Sequence, residues 1–212
     1  MPLRIATWNI NSVRQRLGHL KDFTDSHTPD VLCLQETKVQ DIEFPLSDIK
    51  SMGYEEVFFH GQKSYNGVAI LCKNNVESHE KIVWCGKDDR RHMSITLKNG
   101  LEIHNFYVPS GGPVPDPEQN DKFAHKIQFL KEMSKWATKP EVKEKKVVLV
   151  GDLNVAPLEK DVWNHKKLLK SVGHTPLESE LMANLRKSGD LVDVGRHFIP
   201  DDQPLYSWWG YR

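Results

Sequence analysis

Cysteine, net charge and long apolar runs are all scarce in this sequence, and each scarcity removes a class of protein. Three cysteines in 212 residues cannot build the dense disulfide frame of a small secreted domain. Cys33, Cys72 and Cys85 also lack the close pairing of a zinc site. Cys33 and Cys72 lie inside apolar strand-like runs, which predicts small buried thiols in a reducing compartment. Lysine plus arginine and aspartate plus glutamate both number 29, so the formal net charge is zero. A nucleic-acid partner is therefore not announced by overall charge and would need a local basic face. Arg90-Arg91-His92, Lys143-Glu144-Lys145-Lys146 and Lys166-Lys167 with Lys170 are the candidates, and each reads first as a solvated surface run. No apolar stretch reaches membrane-spanning length, and a strand pattern from Leu3 leaves no room for a signal peptide. The expectation is a soluble, cytoplasmic monomer with no membrane partner.

What is present is an alternation of strand and helix patterns sufficient for one substantial core, read as a single domain over 1–212. Strand-like segments fall at 3–8, 31–35, 54–59, 67–72, 93–98, 101–108, 146–150, 191–194 and 205–209. Val13, Leu17, Leu20 and Phe23 recur at helical spacing, and Thr28-Pro29-Asp30 stops that helix. Phe123, Ile127, Leu130 and Met133 predict a second helix over 118–137. Thr175-Pro176-Leu177-Glu178 predicts a third by its capping box, with proline at the first helical position. Asn99-Gly100 between two strand patterns predicts a hairpin. Pro109 to Pro117, with four prolines and two glycines, is a loop. The mixture of βα units and hairpins argues for an α/β protein with mixed sheets.

Four apolar strands end in polar groups of compatible chemistry. Ile5-Ala6-Thr7-Trp8 leads to Asn9 and Asn11, and Val31-Leu32-Cys33-Leu34 to Gln35, Glu36 and Lys38. Ile103-His104-Asn105-Phe106 leads to Tyr107, and Val147-Val148-Leu149-Val150-Gly151 to Asp152 and Asn154. Each alone is also an ordinary turn former or strand aromatic. Side by side, they would gather carboxylates, amides, a phenol and an ammonium where open α/β sheets place ligands. Hard oxygen ligands suit Mg²⁺ or Mn²⁺, not Zn²⁺. Glu36 fits a direct metal ligand, with Asn9 or Asp152 near it. The chemistry is metal-assisted phosphoester hydrolysis, with Asp152 taking a proton from water and Asn154 and Tyr107 donating to the phosphate.

Five motifs in order carry a family resemblance: Thr7-Trp8-Asn9-Ile10-Asn11, Leu34-Gln35-Glu36-Thr37-Lys38, Tyr65-Asn66-Gly67-Val68-Ala69-Ile70, Asn105-Phe106-Tyr107-Val108-Pro109 and Gly151-Asp152-Leu153-Asn154-Val155-Ala156-Pro157. With Asp161-Val162-Trp163-Asn164-His165 and Ser207-Trp208-Trp209-Gly210-Tyr211-Arg212, they make the chain resemble the exonuclease III family of the endonuclease/exonuclease/phosphatase superfamily. That resemblance implies a four-layer α/β sandwich of two mixed β-sheets flanked by helices. It implies a Mg²⁺-dependent nuclease, with Mn²⁺ as a substitute, acting on double-stranded DNA at 3′ ends and incising 5′ to abasic sites. Glu36 would be the principal metal carboxylate, with Asn9, Asp152 and Asn154 completing the metal site. Tyr107 would contact the scissile phosphate, Asp152 orient or deprotonate the water, and Asn154 support the transition state. Asn11, Lys38 and Asn66 would meet the DNA, and Trp208 would lie against an extruded abasic sugar, although Trp208 and Trp209 read equally as large core residues.

In the resembling family, several dozen residues follow the Tyr-Ser-Trp-Trp segment and carry an Asp-His pair, which these 212 residues lack. The resemblance therefore also implies a domain incomplete at its C-terminal end. Two alternatives follow: a non-catalytic nucleic-acid-binding relative on the same scaffold, or another phosphodiesterase or phosphatase of the superfamily.

Overall fold

A computed structural model describes residues 2–73 and 75–208. It divides into two compact units, the first Met1–Tyr107 with Lys145–Leu153, the second Val108–Glu144 with Asn154–Arg212.

The first unit holds both sheets. In one, β1 (Ile5–Asn9) runs parallel to β2 (Val31–Gln35), while β4 (Val68–Cys72) is antiparallel to both β2 and β3 (Glu56–His60). In the other, β5 (Val76–Glu80), β6 (His92–Leu97) and β7 (Leu101–Tyr107) are antiparallel neighbours, and β8 (Lys146–Asp152) is parallel to β7. Both sheets are mixed, as the sequence predicts. Strand alternation decides which residues face where. Leu32, Leu34, Ala69 and Leu71 pack with Leu20 of α1 (Leu17–His27), Ile49 of α2 (Leu46–Ser51) and Val13. On the opposite face Val31, Cys33, Val68 and Ile70 pack with Met93, Ile95, Ile103 and Tyr107 of the second sheet. Cys33 and Cys72 are buried and outside any disulfide, as expected, and burial pushes the Cys33 thiol pKa upward.

The second unit is helical: α3 (Asp121–Ala137), α4 (Pro140–Lys143), α5 (His165–Leu168), α6 (Pro176–Ser188) and α7 (Val194–Phe198). Phe123, Ile127, Leu130 and Met133 are all buried, and α3 packs on α6. The capping box of α6 forms in full: Thr175 Oγ1 accepts from the Glu178 amide at 3.2 Å, and Glu178 Oε2 accepts from the Thr175 amide at 3.1 Å. The Asn99-Gly100 turn joins β6 to β7, with the Gly100 amide donating to Leu97 O at 2.8 Å.

Two expected strands are absent among the described residues. Segment 191–194 is largely apolar, but Asp193 accepts from the Arg196 amide at 3.0 Å and caps α7 instead. Segment 205–208 is irregular, its Leu205 amide donating to Lys160 O at 3.0 Å; Trp209 lies outside the described residues. Conversely, β5 escaped detection because Val76-Glu77-Ser78-His79-Glu80 is polar. It is an edge strand, and charged side chains are how edges avoid unwanted pairing. The reading of Arg90-Arg91-His92 as solvated surface is also corrected: His92 is fully buried, and the Arg91 side chain is only 13% exposed.

Candidate active site

All four polar strand ends meet in the first unit, through Asn9, Glu36, Tyr107 and Asp152. Parallel register places Asn9 beside Gln35, and Tyr107 beside Asp152. The close approach at β8 requires Gly151: a Cβ there would lie 1.9 Å from Phe106 O, and its φ of +134° suits glycine. Asn9 Nδ2 then donates to Glu36 Oε1 and to Asp152 Oδ2, each at 2.8 Å. The Asn11 amide donates to Asn9 Oδ1 at 3.2 Å, which fixes the orientation of the Asn9 side chain. Tyr107 Oη donates to the same Glu36 Oε1 at 3.0 Å. Lys38 Nζ pairs with Glu36 Oε2 at 2.7 Å and donates to Asn11 Oδ1 at 2.5 Å. One carboxylate therefore receives an amide, a phenol and an ammonium.

Electrostatics follow from that geometry. Burial opposes ionisation of Glu36, but hydrogen bonds from Asn9, Lys38 and Tyr107 outweigh it and hold the carboxyl below its usual range. Burial, reinforced by the Glu36 charge, pushes the Tyr107 phenol upward. At neutral pH the pair is a carboxylate facing a protonated phenol.

Backbone conformation marks the same residues. Asn11, Glu36, Lys38, Asn66 and Asn154 all have φ between +46° and +55°. For Glu and Lys this left-handed region is unusual and costs about 1–2 kcal/mol per residue; such strain concentrates at functional sites. The 36–38 segment is held there by backbone bonds: Thr37 N donates to Gly67 O and Lys38 N to Asn66 O. Gly67 is needed because a Cβ would fall 2.2 Å from Thr37 Oγ1. The Asn66 side chain is only 6% exposed and donates to Asp89 O at 2.9 Å, so it braces this loop.

Arg91 is a site residue the sequence reading did not find. Its guanidinium lies 4.7 Å from the Tyr107 ring centroid, donates to Tyr107 O at 3.3 Å and pairs with Asp89 at 2.5 Å. A basic run gives no sign of which member stacks on an aromatic 16 residues later.

Asn154 and Trp208 belong to the second unit. Asn154 Nδ2 donates to Val108 O at 2.9 Å, and its carbonyl accepts from Lys126 Nζ at 2.6 Å. Trp208 is 80% exposed, which removes its reading as a core residue.

The donor set fits a hard divalent cation. Among the described residues no three His, Cys, Asp or Glu side chains converge, which disfavours a protein-only zinc cage. Mg²⁺ and Mn²⁺ ask for less: one or two carboxylates, with water and phosphate completing the shell. Glu36 is ionised, Asp152 lies across the Asn9 amide, and the Lys38 ammonium at Glu36 Oε2 shows that this oxygen accepts positive charge.

An α/β protein with two mixed sheets and an acidic, amide-bridged cluster at its strand ends defines a class. Within it, residues 6–212 match the model of the Endonuclease/Exonuclease/phosphatase family, and the chain belongs to that family. It is 29% identical to the exodeoxyribonuclease III of Haemophilus influenzae, over 99% of this chain and 81% of that relative. It is 31% identical to a DNA-(apurinic or apyrimidinic site) endonuclease of Dictyostelium discoideum, over 99% of this chain and 57% of that one. Among solved structures, an AP endonuclease from Archaeoglobus fulgidus superimposes with a TM-score of 0.89 at 31% identity, covering 100% of this chain and 79% of that one. The exonuclease III resemblance read from the motifs is thus found again in sequence and in fold.

Proposed function

We propose that this chain is a Mg²⁺-dependent DNA-repair phosphodiesterase that incises duplex DNA 5′ to abasic sites and removes nucleotides from 3′ ends, acting as a cytoplasmic monomer, with Mn²⁺ able to replace Mg²⁺. The observation that carries this reading is the Asn9 amide bridging Glu36 and Asp152 at 2.8 Å each, with the Tyr107 phenol on the same Glu36 oxygen. The names of its relatives support the substrate class.

A divalent metal at Glu36, with Asn9 and Asp152 beside it, would supply charge stabilisation at the phosphoryl oxygens and leaving group. The remaining work falls to side chains. Asp152, oriented by Asn9, positions the attacking water and takes its proton. Tyr107, kept protonated, donates a hydrogen bond to the phosphate as negative charge builds, and Asn154 is assigned the same part by its sequence position. Lys38 and Asn11 contact the DNA strand, Asn66 acts on it only by bracing their loop from behind, and the exposed Trp208 ring covers the abasic sugar.

An abasic-duplex incision assay tests the reading. Expected is cleavage with Mg²⁺ that EDTA abolishes, and loss of at least about a hundredfold in kcat for Glu36→Ala. Cleavage that survives EDTA, or tight binding with no cleavage, overturns it; the second result would favour a non-catalytic DNA-binding relative.

A further inference from the structure

Directly behind Glu36 and Tyr107 lies a polar contact that the proposed mechanism does not use. Gln35 is 1% exposed and Asn105 is 0% exposed, and both lie on the faces where the two sheets meet. Gln35 Nε2 donates to Asn105 Oδ1 at 2.7 Å and lies within reach of Thr7 Oγ1 and Cys33 O, at 3.0 and 3.2 Å. Asn105 Nδ2 donates across to Leu34 O and Ala69 O, at 3.0 and 2.9 Å. The Asn105 amide is thus satisfied almost wholly by the opposite sheet. The apolar residues around it could pack equally well after a small slide, because dispersion and burial are non-directional. Three hydrogen bonds across the sheets could not survive that slide.

The location matters as much as the chemistry. Gln35 precedes Glu36 by one residue and Asn105 precedes Tyr107 by two, so any slip of β2 against β7 would open the 3.0 Å bond from Tyr107 to Glu36. We propose that Gln35 and Asn105 are positioning residues: their amide contact pins the two sheets in the register that sets the Tyr107 phenol against the Glu36 carboxylate. This rests on reading Glu36 and Tyr107 as partners at the phosphate.

The test uses Gln35→Met and the double variant Gln35→Met/Asn105→Leu, which replaces both amides by apolar groups of similar size. Incision of abasic duplex gives kcat and KM. Separately, 3-fluorotyrosine labelling gives the ¹⁹F resonance of Tyr107, assigned with Tyr107→Phe, in protein without metal or DNA. Expected is a cooperative melt, a kcat lowered about tenfold to a hundredfold with KM within about threefold, and a displaced Tyr107 resonance. A folded variant with parental kcat or an unmoved Tyr107 resonance overturns the proposal. If the double variant does not fold, Gln35→Met decides, because Asn105 keeps its bonds to Leu34 and Ala69. Should the parent protein fail to cleave abasic DNA, the functional reading falls, and the resonance alone still decides whether the amide pair sets the Glu36–Tyr107 contact.

Discussion

Each unit of this protein buries a polar pair beside candidate residues, and the two pairs are chemically opposite. In the first unit, Gln35 and Asn105 are neutral amides whose donors are spent on carbonyls and on each other. In the second, Lys126 and Glu178 are both 0% exposed and meet at 2.5 Å. Lys126 also reaches Asn154 O at 2.6 Å and Ser110 O at 3.3 Å, while Glu178 accepts from the Gly173 amide, the Thr175 amide and Thr175 Oγ1. Both devices hold backbone next to a residue assigned to chemistry. They differ in what their loss leaves behind. A broken amide pair leaves dipoles unsatisfied; a broken ion pair leaves a whole charge in the protein interior.

The largest expected effect follows from that difference. Lys126→Met should destabilise the protein by about 3–5 kcal/mol in urea unfolding, because it removes the counter-ion of a fully buried Glu178. Lys126→Met/Glu178→Gln should recover most of that loss, since an apolar and an amide side chain leave no unpaired charge. A single variant that costs no more than a lost neutral hydrogen bond would erase the contrast between the two units. Gln35→Met supplies the matching measurement: about 1–3 kcal/mol, the penalty for leaving the Asn105 oxygen without its donor.

A third buried pair can be moved from the neutral class to the charged one by acid. His92 Nε2 and His104 Nδ1 lie 3.1 Å apart in stacked rings, and Glu102 sits 3.4 Å from His104 Nε2. Burial drives the His92 pKa well below its usual value. It takes His104 down to about 4 even though Glu102 pulls the other way. The unfolded chain takes up these protons below pH 6.5, whereas native His104 does not until about pH 4 and native His92 stays neutral well below 6.5. Stability is therefore complete above pH 6.5 and declines as pH falls toward 4. At pH 5.5 the loss through His104 should be on the order of 1 kcal/mol, and His104→Gln should flatten the dependence of Tm on pH across that window.

How much of this was legible in the sequence depends on the range of the interaction. The α6 capping box spans three residues, so Thr175 and Glu178 announced it. Apolar runs announced β1, β2, β4, β7 and β8, and therefore the strand ends at Asn9, Glu36, Tyr107 and Asp152. Glu178, however, has a second partner in Lys126, 52 residues earlier on a helix that reads as plainly amphipathic. Gln35 and Asn105 stand 70 residues apart inside two strand patterns. Arg91 looked like part of a surface charge run. Nothing local distinguishes such side chains from ordinary neighbours, because their roles come from the packing of one sheet or helix on another. The left-handed backbone at Glu36 and Lys38 was equally hidden, since neither residue type favours it.

Distance alone says little about any of these pairs, and one exposed contact makes the point. Lys21 and Asp25, four residues apart on α1, meet at 2.6 Å with both side chains 60% exposed. That is almost the separation of Lys126 and Glu178, yet water screens the attraction and both long side chains lose freedom by holding one geometry. Lys21→Ala should change unfolding free energy by only about 0.3–0.5 kcal/mol, and 1 M NaCl should abolish even that difference. The same salt should leave the Lys126→Met penalty almost untouched, because a fully buried charge is out of reach of counter-ions. A Lys21→Ala penalty approaching that of Lys126→Met would mean that separation rather than burial sets the strength of ion pairs in this protein, and the comparison between its two units would lose its physical basis.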